Sequence, residues 1–236
     1  MDFFGFEGEK EYLPRYSYCN TLAKRRKLFL HFFNLLVGEM IFDKKDLCSC
    51  KALSIRKIFM QKVAQLTQPS AVGTKMSRFD VKLHHLMRRS CFNCIELPQK
   101  QDYKKASLLS SFFDNDSNSF LLNSDLLFKS FVHQNIINIK KDRVVCNEID
   151  CIDMYLKDDP NIKVFPFWEK KEKLEDAHIQ KAVDCIKNSE FKNIYLVYPK
   201  EKNFSKHIDI KVPELEGCSE YVIKVIPYSL KTILRS

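Results

Sequence analysis

Three charged residues in the second half of the chain, Asp150, Glu169 and Lys171, have the types and spacing of a metal-assisted hydrolytic site. Asp150 ends the segment NEID, and Glu169 and Lys171 follow the apolar run VFPFW. Two carboxylates supply the hard oxygen ligands that Mg²⁺ (or Mn²⁺) prefers, and a bound ion lowers the pKa of its water. A lysine beside the ion can orient or deprotonate that water. These residues therefore predict hydrolysis of a phosphodiester bond.

Two predicted strands must position the acids. Residues 143–156 and 162–169 are rich in β-forming residues and flank the turn sequence DDPN. Side chains alternate between the two faces of a strand. If the second strand runs through residue 171, one of its faces is expected to carry Phe165, Phe167, Glu169 and Lys171. The second acid would then emerge at the end of that strand, beside the first.

The surrounding pattern predicts an α/β order over residues 124–236. A helix begins at the capping candidate Ser124. After the two strands come an amphipathic helix at 173–191, an apolar strand at 192–199, and a last strand and terminal helix within 221–234. The predicted fold class is therefore α/β (α+β).

This order, with EID at the first acid and Glu-x-Lys at the second, resembles the PD-(D/E)XK nuclease superfamily, which includes restriction endonucleases and RecB-like nucleases. The resemblance covers residues 124–236. It implies a restriction-endonuclease-like domain with a central mixed sheet flanked by helices, dependence on Mg²⁺ or Mn²⁺, and cleavage of DNA in preference to RNA. It makes Asp150 and Glu169 metal ligands and Lys171 their catalytic partner, and Gln180 matches a glutamine of RecB-like members.

Two departures from that family define an alternative. The helix before the first strand has no glutamate, and only His133 or Gln134 stands where one is expected. The residue four positions after Gln180 is Asp184, where RecB-like members carry an aromatic residue. We expect an Mg²⁺-dependent nuclease. The alternative is an inactive nuclease-like fold that binds nucleic acid or scaffolds a larger complex.

The charge balance favours an anionic partner. The 39 Lys and Arg residues exceed the 30 Asp and Glu residues, which gives a net charge of +9. Nucleic acid, and DNA first, is the expected partner, and an acidic protein is an alternative. Charge alone would also suit a membrane surface, but no membrane is expected as a partner. Cations near a helix C-terminus are also favourable in themselves. The residues expected to contact nucleic acid are Arg78, Lys82, Arg88, Arg89, Lys170 and Gln180.

Composition along the chain predicts two domains. Residues 1–113 are mostly helical in pattern, 114–123 form a polar linker that includes DNDSNS, and 124–236 form the α/β domain. Helices predicted at 54–66 and 75–92, joined by TQPSAVGT, suggest a helix-turn-helix or winged helix, although helical hairpins give the same pattern. This helical region is also a candidate surface for protein partners.

Cysteine usage and the absence of targeting signals predict an intracellular protein, cytoplasmic or nuclear. The nine cysteines are an odd number, and no signal peptide or membrane span is visible. A metal held by Cys48, Cys50, Cys91 and Cys94 is one possibility, and free thiols are the other. The five glycines are isolated, which excludes a glycine-rich phosphate loop from this chain.

Overall fold

The chain divides into two compact units, Met1–Leu127 with Ser236, and Phe128–Arg235. A computed structural model describes residues 3–37, 40–66, 119–139, 143–148, 150–156, 160–169, 176–215 and 221–230.

The first unit contains a three-stranded antiparallel sheet in the order β2-β1-β3. The strands are β1 (Phe3–Glu7), β2 (Lys10–Tyr12) and β3 (Ser119–Asn123). The first two form a hairpin through Gly8, whose φ of 54° is a conformation that glycine adopts readily. The third strand comes from a distant part of the chain and pairs with β1 along its whole length.

Three helices of this unit are α1 (Leu22–Val37), α2 (Lys44–Ser49) and α3 (Ile55–Leu66). A capping box begins α2. The Asp43 carboxylate accepts hydrogen bonds from the backbone N–H groups of Lys45 and Asp46, and the Asp46 carboxylate accepts one from the Asp43 N–H. This reciprocal pairing satisfies backbone donors that the helix itself leaves unpaired.

Aromatic rings form the core of the first unit. Phe59 of α3 lies at its centre, 4.6 to 6.2 Å between ring centroids from five other phenylalanine rings. These rings belong to Phe6, Phe29, Phe33, Phe42 and Phe120, and all are buried. Edge-on and tilted arrangements of this kind add favourable quadrupole interactions to the burial of apolar surface.

A largely buried carboxylate, that of Glu11, connects β2 to two helices. Glu11 accepts hydrogen bonds from Arg26 of α1, at 2.7 Å from Nη2 and 2.9 Å from Nε. It also accepts one from the Ile55 backbone N–H, at 2.6 Å, where α3 begins. Charge-assisted bonds of this kind are among the stronger ones in proteins, and an anion at a helix N-terminus is stabilised by the helix dipole.

The second unit contains a six-stranded mixed sheet in the order β4-β5-β6-β7-β9-β8. Strands β4, β5 and β6 form an antiparallel meander, β6, β7 and β9 are parallel, and β8 is antiparallel to β9. Their bounds are β4 (Arg143–Asn147), β5 (Ile152–Leu156), β6 (Ile162–Pro166), β7 (Asn193–Pro199), β8 (Ile208–Ile210) and β9 (Val222–Tyr228).

Helices cover both faces of this sheet. On one face, α5 (Asp176–Asn188) buries Ala182, Val183 and Ile186 against residues of β6, β7 and β9. On the other face, α4 (Ser124–Ile139) packs edge-on aromatic rings: Phe128 lies 5.5 Å from Trp168, and Phe131 lies 5.9 Å from Tyr228. The predicted α/β class with a central mixed sheet flanked by helices is therefore confirmed.

The first unit differs from the prediction in two places. Residues 1–113 include strands β1 and β2 as well as helices, and residues 119–123 form β3 although they were assigned to a linker. The pairing of β1 with β3 joins residues far apart in sequence, and local composition does not show it. The second helix of the predicted helix-turn-helix, at 75–92, lies outside the described residues, as does most of the predicted terminal helix.

The start of α4 was predicted within one residue. The helix begins at Ser124, but the capping side chain is that of Asn123, whose Oδ1 accepts a hydrogen bond of 3.0 Å from the Leu126 N–H.

Candidate functional site

Asp150 and Glu169 both face helix α5. Asp150 lies just before β5, and its Oδ2 is 3.9 Å from Nζ of Lys181. Glu169 lies just after β6, and its Oε1 is 3.7 Å from Nε2 of His178. His178 and Lys181 are three residues apart and so share one side of α5. The fold therefore brings the two predicted acids to the same helix surface.

The alternation predicted for the second strand is present. The imidazole of His178 stacks on the ring of Phe167, with 3.6 Å between centroids and an interplanar angle of 10°. Nζ of Lys181 lies 5.0 Å from the ring centroid of Phe165 and 6.0 Å from that of Phe167. Phe165, Phe167 and Glu169 thus all contact α5 side chains, as residues on one face of a strand must.

His178 is held in a fixed orientation. Its Nδ1 shares a hydrogen bond of 2.8 Å with the hydroxyl of Tyr198, which is buried on β7. The stacked Phe167 ring fixes the plane of the imidazole, and its other nitrogen faces Glu169. An imidazole oriented in this way can donate or accept a proton at Nε2. His178 and Lys181 together place two nitrogen groups next to the carboxylates of Glu169 and Asp150.

Sequence reasoning did not identify His178, Lys181 or Tyr198. A usable signal was present: the segment AHIQK places His178 and Lys181 on one side of an amphipathic helix that directly follows the acid-bearing strand. Tyr198 gave no such signal, because it lies in a strand whose residues all read as core.

The remaining predicted site residues are only partly described. Gln180 donates a hydrogen bond of 2.8 Å to Oδ1 of Asp184 on the exposed side of α5. Its role in contacting nucleic acid stays a prediction. The catalytic candidate Lys171 and the predicted nucleic-acid contacts lie outside the described residues, and their roles also stay predictions. Those contacts are Arg78, Lys82, Arg88, Arg89 and Lys170.

The described part of the site pairs its two carboxylates with nitrogen groups. Asp150 and Glu169 each face a nitrogen group of α5, and these groups compete with a cation for the carboxylates. Within the described ranges, no group of three or more His, Cys, Asp or Glu side chains is arranged to hold a metal ion. The expectation of Mg²⁺ or Mn²⁺ rests on the pair of carboxylates in the sequence and on the resemblance, and it stays a prediction.

A second charged cluster is buried beside the same helix. Lys163 of β6 donates a hydrogen bond of 2.8 Å to Oδ2 of Asp153 on β5, and its Nζ lies 4.4 Å from the ring centroid of Phe191. The Cys151 thiol donates to Oδ1 of Asp153 at 3.5 Å. Burial raises the pKa of this thiol to about 11, and the nearby carboxylate adds to the shift. The cluster is neutral in sum and fully hydrogen-bonded, which is typical of a structural role.

The described thiols differ sharply in exposure. Cys50 is buried and donates a hydrogen bond of 3.7 Å to the Asp46 carbonyl, whereas Cys48 is exposed. Cys91 and Cys94 lie outside the described residues, so a metal held by these four cysteines stays a prediction.

We expect iodoacetamide at pH 8 to modify Cys48 at least about a hundredfold faster than Cys19, Cys50 or Cys151. Burial raises the pKa of each of these three thiols to about 11, so only about one in a thousand is ionised at that pH. Peptide mapping by mass spectrometry of timed samples measures the rates, and the urea-denatured chain, in which all thiols react alike, is the control. Equal rates for Cys48 and Cys50 in the folded chain would contradict the burial seen here.

Comparisons with known proteins show a shared fold but do not show a family. No protein-family model matches the sequence, and no curated protein matches it. The chain is similar in structure to a chain of the Thermococcus gammatolerans assembly described as McrB AAA+ hexamers with bound McrC. The TM-score is 0.62 at 9% sequence identity, and the match covers 99% of this chain and 81% of that one. Such a likeness shows a shared fold.

This finding corrects the predicted function. The nuclease prediction depended on the order of helices and strands around Asp150 and Glu169, and that order occurs within a fold shared with a chain of an AAA+ assembly. The prediction of a metal-dependent nuclease is therefore wrong. None of these comparisons tests the resemblance of residues 124–236 to the PD-(D/E)XK superfamily, which stays a prediction.

The predicted absence of a membrane span agrees with the helices that the structure describes. None of those helices combines the length and the apolar character needed to cross a bilayer. The cellular compartment stays a prediction.

Proposed function

We propose that this chain is a subunit of a multi-protein assembly and that it works by binding an AAA+ partner. The observation that carries this proposal is the structural likeness to a chain of an assembly of AAA+ hexamers, which extends over 99% of the present chain. The likeness covers both units and not one of them alone.

The sequence supports binding of ATP by the partner and not by this chain. Phosphates of ATP are held by a loop in which several glycines allow close approach of backbone N–H groups. This chain has five glycines, at positions 5, 8, 38, 73 and 217, and no two of them have the spacing of such a loop. The chain would therefore contribute protein contacts, and its partner the ATPase chemistry.

Binding to DNA is a second candidate, favoured by the net charge of +9. An excess of cations releases counterions from a phosphate backbone and gives binding that weakens steeply with salt. It is tested by the fluorescence anisotropy of a labelled duplex at several NaCl concentrations. Binding that does not change with salt would exclude a phosphate-directed contact.

Affinity purification of the tagged chain from its source cells tests the proposed function directly. We expect a stoichiometric partner whose sequence contains a P-loop ATPase motif, retained after nuclease treatment because the contact is between proteins. A partner that is lost on nuclease treatment would support the DNA-binding candidate instead. Recovery of the chain alone, or only with partners that lack an ATPase motif, would overturn the proposal.

We expect the isolated chain not to bind ATP, because it has no glycine-rich phosphate loop. A fluorescent ATP analogue titrated with Mg²⁺ should show no saturable change up to about 1 mM, the weak end of biological affinities. The purified AAA+ partner serves as the positive control. Saturable binding by this chain at micromolar concentrations would show that the nucleotide site is not confined to the partner.

A further inference from the structure

The connection between β7 and β8 presents cations on a turn that is anchored in the core. Glu201 and Phe204 exchange two backbone hydrogen bonds, of 3.2 Å from the Glu201 N–H and 3.3 Å from the Phe204 N–H. This reciprocal pair closes a tight turn with Lys202 and Asn203 at its tip. Both tip residues are exposed, whereas the Phe204 ring is buried in the core of the second unit. The tip therefore projects into solvent from an anchored base.

This turn lies at the same end of the sheet as the candidate site. The Phe204 ring centroid is 6.5 Å from that of Tyr198, near the carboxyl end of β7, and the Tyr198 hydroxyl is bonded to His178. Glu169 follows β6, which is parallel to β7, and so it lies at the carboxyl end of its own strand. In open α/β sheets ligands bind beyond the carboxyl ends of the strands. The turn therefore borders the surface where a ligand is expected.

The exposed side chains of the turn suit a phosphate backbone. Lysine, asparagine and serine side chains are among those that contact phosphate and sugar oxygens in nucleic-acid complexes. The exposed residues between 200 and 208 are Lys202, Asn203, Ser205, Lys206 and His207. Within residues 200–207, all of which the structure describes, the acid Glu201 and the apolar Phe204 are both buried. A membrane-binding loop would instead expose apolar or aromatic side chains to the bilayer.

We propose that the turn at residues 201–207 binds the phosphate backbone of DNA, with Lys202 and Lys206 as its charged contacts, and so holds the DNA beside His178 and Glu169. None of the residues predicted from the sequence to contact nucleic acid lies in this turn. The inference rests on the second candidate function, DNA binding, and assigns that function to a surface. It does not depend on the AAA+ partner.

Paired lysine substitutions test the position of the contact. Fluorescence anisotropy of a labelled duplex measures the affinity of the full chain between about 50 and 200 mM NaCl. We expect Lys202→Gln with Lys206→Gln to weaken binding by at least about tenfold and to reduce the slope of log affinity against log salt by about 1.8, because two phosphate contacts are lost. Melting followed by circular dichroism verifies that the variant is folded.

A second pair of substitutions removes the same charge at the opposite end of the sheet. Lys187 is exposed in the last turn of α5, and Lys211 is exposed after Ile210, which pairs with Ile223 near the start of β9. Lys187→Gln with Lys211→Gln should change the affinity by less than about twofold, since neither group contacts a phosphate. Equal losses in the two double variants would show that total charge and not this turn governs binding. If the unaltered chain does not bind DNA, the second candidate function falls together with this inference.

Cross-linking distinguishes direct contact from attraction at a distance. We expect Asn203→Cys, labelled with p-azidophenacyl bromide and irradiated with the duplex, to give severalfold more protein–DNA adduct than the parent chain, whose exposed Cys48 sets the background. Lys187→Cys, labelled in the same way, should give only that background. An Asn203→Cys yield no higher than the background would place the DNA elsewhere and overturn the proposal, even if the lysine pair affects affinity.

Discussion

Replacing Asp153 with alanine is expected to lower the free energy of unfolding of the second unit by about 3–5 kcal/mol, because it leaves the ammonium of Lys163 buried without its partner. The two side chains are only 9% and 15% exposed, and their closest N–O distance is 2.7 Å. Removing one member of a largely buried pair leaves the desolvation cost of the other without compensation. The whole unit should therefore become less stable.

The single tryptophan of the chain makes this measurement specific. Trp168 is buried in the second unit, so its fluorescence during urea unfolding reports on that unit and not on the first. Asp209→Ala is the matched control, because Oδ1 of Asp209 lies 3.9 Å from Nζ of Lys224 in the same sheet and both side chains are well exposed. Loss of this exposed ion pair should lower the free energy of unfolding by less than about 1 kcal/mol. Similar losses for the two variants would show that burial does not govern the Asp153 pair.

A double replacement separates the missing charge from the missing volume. Asp153→Leu with Lys163→Met removes both charges and keeps the space filled, so it should recover most of the lost stability. Burial lowers the pKa of Lys163, but its hydrogen bond to Asp153 and the nearby negative charges outweigh that effect and leave the pKa above 10.5. The pair therefore stabilises the unit fully below pH 10.5, and its contribution is lost as the pH rises through the pKa of the folded state. The double variant should not show this alkaline loss.

Local sequence patterns predicted the second unit better than the first. Helix α5 and strand β7 follow from periodicity within their own residues, and the placement of Phe167 and Glu169 on one face follows from alternation in one strand. The sheet of the first unit joins β1 to β3, and nothing in the local pattern of either strand shows that pairing. The polar stretch DNDSNS ends at Ser119, the first residue of β3, and this composition predicts a linker at the position of the strand.

The difference between local pattern and tertiary contact also explains which residues of the candidate site could be predicted. Asp150 and Glu169 were found because acids after apolar strands are visible in sequence. His178, Lys181 and Tyr198 join them only because α5 packs against β6 and β7, which is a tertiary contact. The wrong prediction of a nuclease had a related cause. The order of helices and strands was taken to indicate one activity, although proteins that share one fold carry out many different functions.

Replacing Gly5 with alanine is expected to lower the free energy of unfolding of the first unit by about 3 kcal/mol or more. Its φ of 146° is disfavoured for any residue with a Cβ. A Cβ at this position would also overlap the carbonyl oxygen of Phe120 and lie only 2.8 Å from its carbonyl carbon. These are backbone atoms of β3, so they cannot move aside without breaking the β1–β3 pairing.

Hydrogen exchange followed by mass spectrometry resolves this effect within the chain. Peptides from β1 and β3 should exchange much faster in Gly5→Ala, whereas peptides from β7 should keep their protection. Gly8→Ala provides the comparison, because Gly8 also has a positive φ but no atom lies within 4 Å of its added Cβ, so its cost should be only about 1 kcal/mol. Equal exchange in the two variants would mean that backbone conformation alone, and not the close approach of β3, requires glycine at position 5.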